Sequence, residues 1–360
     1  MTLPRESLTR DQLLEMYYYV RLTRDVEERL AILYRQNKVV GGLYRSLGQE
    51  GESVASAYAL EGRDCTAPLI RNLGAILTRG VRPRDIFTQY MAKGTSPTRG
   101  RDLNIHFSHL PSPGVDEPMI VGPISMLGDL IPVLAGVGLG ARLKGERIVA
   151  MTYIGDGGTS TGAFHEGLNF AAVQKLPLVL IAEDNKYAYS TPIRQQMAIG
   201  RIDQRAGSYG IASEFVDGND ILAVYDAAKC GVDRARRGEG PTLIGVDTMR
   251  MRGHAEHDDM KYVPDDLVTA WKARDPLSRY KAQLFDFGVA REAEIDEIDR
   301  MARSYADAEA AEADKAPPPD PATVAGGVYA DDQPFPARVE IVKSPFALRG
   351  ADVSGPRARA

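Results

Sequence analysis

Three segments of this chain are apolar almost without interruption: residues 148–154 (Ile-Val-Ala-Met-Thr-Tyr-Ile), 178–182 (Leu-Val-Leu-Ile-Ala) and 242–246 (Thr-Leu-Ile-Gly-Val). Each is of strand length, and the lack of polar alternation predicts burial on both faces, as in a parallel sheet. Residues 64–69 and 214–218 read as further strands. Between these runs, residues 163–174 and 221–237 read as helices. Strands alternating with helices predict an α/β fold: a doubly wound, mostly parallel sheet with helices on both faces.

Helical extensions are predicted at both ends. Thr9-Arg-Asp-Gln opens the first, with Thr9 or Asp11 as N-cap. Leu13, Leu14, Tyr17, Val20 and Leu22 keep near-helical spacing, so residues 12–36 read as one or two helices. Gly41–Glu50 is a turn-rich lead-in to a helix over about 49–60, and another helix runs on from Arg71-Asn-Leu-Gly74. Met126–Leu139 reads as a buried helix with its preceding loop, and the prolines of 110–118 mark a loop. Residues 265–273 and 276–284 read as helices, and 292–313 as an alanine-rich helix exposed on one face. Pro317-Pro-Pro-Asp-Pro321 is a stiff breaker, and Arg349–Ala360 reads as a frayed terminus. The organisation expected is a helical extension over 1–40, an α/β domain over 41–286, a C-terminal helix over 287–316 and a Pro-rich, irregular tail over 317–360.

Composition narrows the function classes. The chain has 360 residues, 44% hydrophobic and 26% charged, as a soluble protein does. A net charge of −5 gives no reason to expect nucleic acid as a partner. No apolar run is long enough for a membrane span, and the first residues lack both a signal-peptide core and the character of a transit peptide. Two cysteines, Cys65 and Cys230, suit a reducing cytoplasm, and both are expected to be buried as small hydrophobes.

The candidate chemistry starts where the first long strand ends, at Tyr153-Ile-Gly-Asp-Gly-Gly158. The next strand ends in Glu183-Asp-Asn-Lys-Tyr187, so Asp156 and Asn185 lie 29 positions apart. One turn, one helix and one strand fill that interval, and a parallel β-α-β unit returns both side chains to the same sheet edge. A carboxylate and an amide oxygen beside a helix N-terminus make a hard-cation site next to an anion site, which suits Mg²⁺ on a diphosphate. A dinucleotide fingerprint fits poorly, because its third glycine position holds Ser160. Gly155, Gly157 and Gly158 let backbone approach phosphates, and a helix expected from about Thr159 points its free N–H groups the same way. His254 lies in the polar segment Arg252-Gly-His-Ala-Glu-His-Asp-Asp259, which lacks the ligand spacing of a structural zinc site.

Gly-Asp-Gly followed by this asparagine resembles the thiamine diphosphate fingerprint, and Gly155–Ala172 resembles the α subunit of 2-oxo acid dehydrogenase E1 components, with similarity from about Gly41 to Leu284. The resemblance implies a thiamine diphosphate-binding fold, with Mg²⁺ held by Asp156, Asn185 and the Tyr187 carbonyl. It implies that Arg71 and Arg250 reach the diphosphate, although the tyrosine usual before the first arginine is Ile70 here. Ser125 and Leu127 match positions at the aminopyrimidine ring. His254 matches a histidine that lines the active-site channel and helps acyl transfer, and a serine phosphorylated in animal enzymes is Ala255. The glutamate that activates the cofactor belongs to the β subunit in this family, so the chain is expected to form half a site in an α2β2 assembly and to serve a lipoyl-bearing E2. The expected reaction is oxidative decarboxylation of a 2-oxo acid. An acetoin-cleaving enzyme and a silent scaffold subunit are the alternatives.

Overall fold

The computed structural model describes residues 3–112, 114–327, 329 and 339–346. Its strands are β1 (Cys65–Ala67), β2 (Met119–Ile120), β3 (Ala150–Gly155), β4 (Leu178–Asp184), β5 (Tyr187–Ala188), β6 (Thr191–Pro192), β7 (Ala212–Asp217) and β8 (Thr242–Asp247). Six of them form one sheet in the order β2-β1-β3-β4-β8-β7, parallel at every pairing, while β5 and β6 make a separate short hairpin. All of β4 is buried. Each fully buried Val, Leu or Ile there contributes about 1.5–3 kcal/mol.

The helices are α1 (Arg10–Arg35), α2 (Glu50–Tyr58), α3 (Leu73–Thr78), α4 (Pro83–Tyr90), α5 (Leu130–Leu143), α6 (Gly162–Val173), α7 (Ile221–Arg236), α8 (Asp265–Lys272), α9 (Pro276–Asp286) and α10 (Glu292–Asp314). They cover both sheet faces. Met151, Tyr153, Val179 and Ile181 share one core with residues of α1, α2, α7 and α10. Ala150, Ile154, Leu178 and Leu180, one position along, share the other core with residues of α5 and α6. That alternation makes the sheet doubly wound.

The N-terminal periodicity resolves into one continuous helix, begun by a capping box in which Thr9 is the N-cap and Gln12 answers it. The helix expected from Thr159 begins later. Residues 156–160 make a short 3-10 turn, and α6 starts at Gly162, where Thr161 caps the Phe164 N–H at 3.3 Å. Cys230 is the other correction: it is exposed on α7, whereas Cys65 is buried in β1. The α7 stripe of Val224, Ala227, Ala228 and Val232 faces the core, and position 230 falls on the opposite side.

α10 buries Ile295, Ile298, Ala302 and Ala306 and leaves its other face to solvent. Tyr17 on α1 donates to Asp299 at 3.0 Å, and Arg82 pairs with Glu309 at 2.6 Å. Within the tail, residues 339–346 lie along the Gly80–Arg82 turn: the Val342 N–H donates to Gly80 at 2.7 Å, and Phe346 is buried. Arg349–Ala360 lies outside the described residues. Among the described residues, no helix is long and apolar enough to cross a membrane.

Candidate active site

The register keeps the C-terminal ends of β3, β4 and β8 level, pairing Gly155 with Glu183 and Asp184 with Asp247. Asp156, Asn185 and Arg250 therefore leave the same sheet edge, where open α/β sheets bind ligands. A cleft of about 530 Å³ opens there, and every residue singled out from the sequence lines it: Arg71, Ser125, Leu127, Gly155, Asp156, Gly157, Gly158, Asn185, Tyr187, Arg250 and His254.

One wall presents oxygen. Asp156 is buried; its Oδ1 accepts from Gly157 N at 2.8 Å and its Oδ2 from Gln196 Nε2 at 3.0 Å. Burial pushes its pKa up to about 6. Asn185 is also buried. Its Nδ2 donates to Gln49 Oε1 at 3.4 Å, but its Oδ1 has no hydrogen-bond partner among the described residues. Leaving such an acceptor unpaired costs roughly 1–3 kcal/mol, so the residues present fit a hard cation that takes oxygen ligands. Tyr187 begins the β5–β6 hairpin, its side chain buried beside Met249 and Trp271. A Cβ on Gly157 would stand 2.5 Å from that of Ala188, and one on Gly158 would stand 2.3 Å from Ile154 Cδ1. A side chain at either position would need a neighbour to shift, whereas a Cβ on Gly155 meets nothing nearer than 3.9 Å.

The facing wall carries positive charge. Arg250 is buried and donates to the carbonyls of Arg252 at 3.1 Å and Tyr189 at 2.8 Å, and to the Tyr262 hydroxyl at 2.7 Å. Arg71 donates to the His254 carbonyl, and its Nε has no partner among the described residues. Burial, reinforced by Arg250, draws the Arg71 pKa down to about 10. The His254 imidazole is lowered to about 4 by burial and then by the two arginines. At neutral pH it is uncharged. Its Nδ1 stands 3.4 Å from Arg71 Nη2 and 3.5 Å from Arg250 Nη1, so Nδ1 accepts and Nε2 carries the proton. The ring lies 4.6 Å from Tyr189 and 5.6 Å from Tyr44, centroid to centroid, and Asp258 takes the His254 N–H at 2.6 Å. The site thus holds a neutral donor where the sequence alone allowed an acid.

Behind the oxygen wall lies a buried polar network. Asn72 and Gln49 both donate to Glu183, the latter at 3.1 Å. Burial, with Glu183 beside it, raises Glu52 well above the usual carboxyl range. Gln49, Asn72, Gln196, Tyr44, Tyr189 and Tyr262 were not singled out from the sequence, and no motif marks them; their proximity to the cleft is a product of tertiary folding. Leu127 is 50% exposed and Ser125 is also exposed, both on the rim. Three other histidines play local parts: His106 lines the cleft 3.3 Å from Asp102, His109 meets Glu117 at 2.9 Å, and His165 meets Tyr209 on the surface.

Comparison with known proteins places this cleft in context. The chain matches the family described as "Dehydrogenase E1 component" over residues 18–322. It is 36% identical over 330 residues to the 2-oxoisovalerate dehydrogenase subunit alpha of Bacillus subtilis (strain 168), covering 90% of this chain and 97% of that protein. It is 36% identical over 290 residues to the pyruvate dehydrogenase E1 component subunit alpha of the same organism, covering 80% and 74%. To the Bacillus cereus protein of that name it is 34% identical over 313 residues, covering 86% and 80%. Matched across most of its length and aligned nearly end to end with one of these relatives, the chain belongs to the dehydrogenase E1 component family.

Proposed function

We propose that this chain is the α subunit of a 2-oxo acid dehydrogenase E1 component, acting in the oxidative decarboxylation of pyruvate or a branched-chain 2-oxo acid with acyl transfer to the lipoyl group of an E2 partner. The names of the relatives support the reaction class. One observation carries the reading of the site: a buried oxygen pair, Asp156 and Asn185, shares a cleft with two guanidiniums, Arg71 and Arg250, that have no carboxylate partner among the described residues. Like charges held together and partly out of water favour an anion between them.

Asp156, Asn185 and the Tyr187 carbonyl would hold Mg²⁺, and the glycines at 157 and 158 would admit a diphosphate against the backbone. Arg71 and Arg250 would neutralise the diphosphate charge. Thiamine diphosphate, when bound, supplies the carbon nucleophile and the electron sink for decarboxylation. His254 holds a proton at Nε2 and would offer it as a hydrogen bond in the cleft. Ser125 and Leu127, exposed on the rim, would meet the aminopyrimidine end where a second subunit closes over it.

Among the described residues, the acidic ones lining the cleft are Asp156 and Glu183, and Glu183 is engaged by Gln49 and Asn72. Neither is free to activate the pyrimidine ring, which supports a β subunit as donor of that carboxylate and an α2β2 assembly. The test is kinetic. Co-purified with a β subunit, the chain should reduce lipoyl E2 with 2-oxo acids; purified alone, it should turn over nothing. Robust decarboxylation by the single chain would refute the half-site.

A further inference from the structure

We propose that Gln49 is a positioning residue for the cation clamp: it fixes which end of the Asn185 carboxamide faces the cleft. The inference rests on the reading of Asn185 as a metal ligand. The two ends of a carboxamide are nearly the same size, but only the oxygen can ligate a hard cation; turned over, the group presents an NH₂ instead. Something must hold the oxygen outward.

The geometry supplies it. Asn185 Nδ2 donates to Gln49 Oε1 at 3.4 Å, which leaves Asn185 Oδ1 as the buried, unpartnered atom. Gln49 is not free to turn either, because its Nε2 donates to Glu183 Oε2 at 3.1 Å, and an acceptor oxygen at that place selects the NH₂ end. Glu183 is held in turn by Asn72 Nδ2 at its other oxygen. Orientation is therefore relayed from Glu183 through Gln49 to Asn185. All four side chains are buried, so water does not compete for these bonds. Gln49 stands at the N-terminus of α2, 136 positions from Asn185, and its backbone N–H bonds Ser46 at 2.6 Å, which anchors it. A reversed Asn185 would set its oxygen against Gln49 Oε1, two acceptors face to face.

The test is a double-mutant cycle on the full-length chain assembled with its β subunit. It is read by Mn²⁺ binding in the presence of thiamine diphosphate, from loss of the free-ion resonance signal. Groups that orient a metal ligand are typically worth about 10–100-fold in affinity, and that loss is expected for Gln49→Ala. In Asn185→Asp both ends are oxygen, so orientation no longer matters, and adding Gln49→Ala should then cost less than about twofold. Gln49→Met, which keeps the shape and loses both hydrogen bonds, gives the same readout should the alanine variant fail to fold. Unchanged Mn²⁺ affinity in both Gln49 variants overturns the inference, as does an equal loss in the wild-type and Asn185→Asp backgrounds. Unchanged Mn²⁺ affinity in Asn185→Ala, which has no side-chain oxygen, removes the ligand assignment and this inference with it. A wild-type enzyme that binds no Mn²⁺ beside thiamine diphosphate refutes the proposed function itself.

Discussion

Arg71 and Arg250 converge on one acceptor: their Nη2 and Nη1 atoms stand 3.4 and 3.5 Å from Nδ1 of His254. They come from distant places, Arg71 from the turn before α3 and Arg250 from the segment after β8. No carboxylate among the described residues pairs directly with either, so the two guanidiniums face the cleft together without a bonded counter-ion. A diphosphate would supply it.

Arg71→Met and Arg250→Met should each weaken thiamine diphosphate binding. A hydrogen bond to a charged group is worth about 1.5–3 kcal/mol, which corresponds to a loss of roughly 10–100-fold. Inorganic pyrophosphate with Mg²⁺ should raise the unfolding midpoint of the wild-type protein by mass action. Equal midpoint shifts in the wild type and both variants would remove the arginines from the anion site.

The histidine gives a pH signature. Its pKa is lowered from 6.5 to about 4 in the folded chain, so the unfolded chain binds its proton first as pH falls. The stability it contributes is fully present above pH 6.5 and is lost as pH drops towards 4. Relative to His254→Gln, the wild type should therefore lose on the order of 1–2 kcal/mol between neutral and acid pH, after allowance for solvent screening. Urea unfolding of both proteins at several pH values reads the difference directly. Parallel curves would mean that the arginines do not depress His254.

The central strands were legible because burial on both faces writes an unbroken apolar run, as in β4. Asp156 and Asn185 were legible because one β-α-β unit fixes their meeting place. The start of α6 was not, since Asp156–Ser160 takes a 3-10 turn that closes on itself through Thr159 Oγ1 and the Asp156 carbonyl at 2.6 Å. Gln49 and Glu183 meet across 134 positions, which no local pattern records. Nor does any local pattern show His254 as neutral, because its charge state depends on Arg71, brought in by the fold from 183 positions away.

Substrate range follows from the cleft wall. Leu69, Ile70 and Ile124 line it beside Tyr44, an aliphatic surface that suits a branched acyl chain. Each buried methylene is worth about 0.8 kcal/mol, a several-fold gain in affinity. For the assembled enzyme, kcat/KM on 2-oxoisovalerate should fall within roughly tenfold of that on pyruvate, since these contacts favour added carbons. A preference for pyruvate of more than about a thousandfold lies far beyond what a methylene or two can set, and would mark a strict pyruvate enzyme.

The central claim, that Asp156 and Asn185 hold a cation for thiamine diphosphate, is tested most directly by calorimetric titration of thiamine diphosphate into the assembled enzyme, with and without Mg²⁺. Wild-type binding should require Mg²⁺, and Asp156→Ala, which removes one ligand oxygen and leaves the diphosphate charge poorly neutralised, should abolish the Mg²⁺-dependent part while the protein stays folded. Undiminished Mg²⁺-dependent affinity in Asp156→Ala would contradict the account.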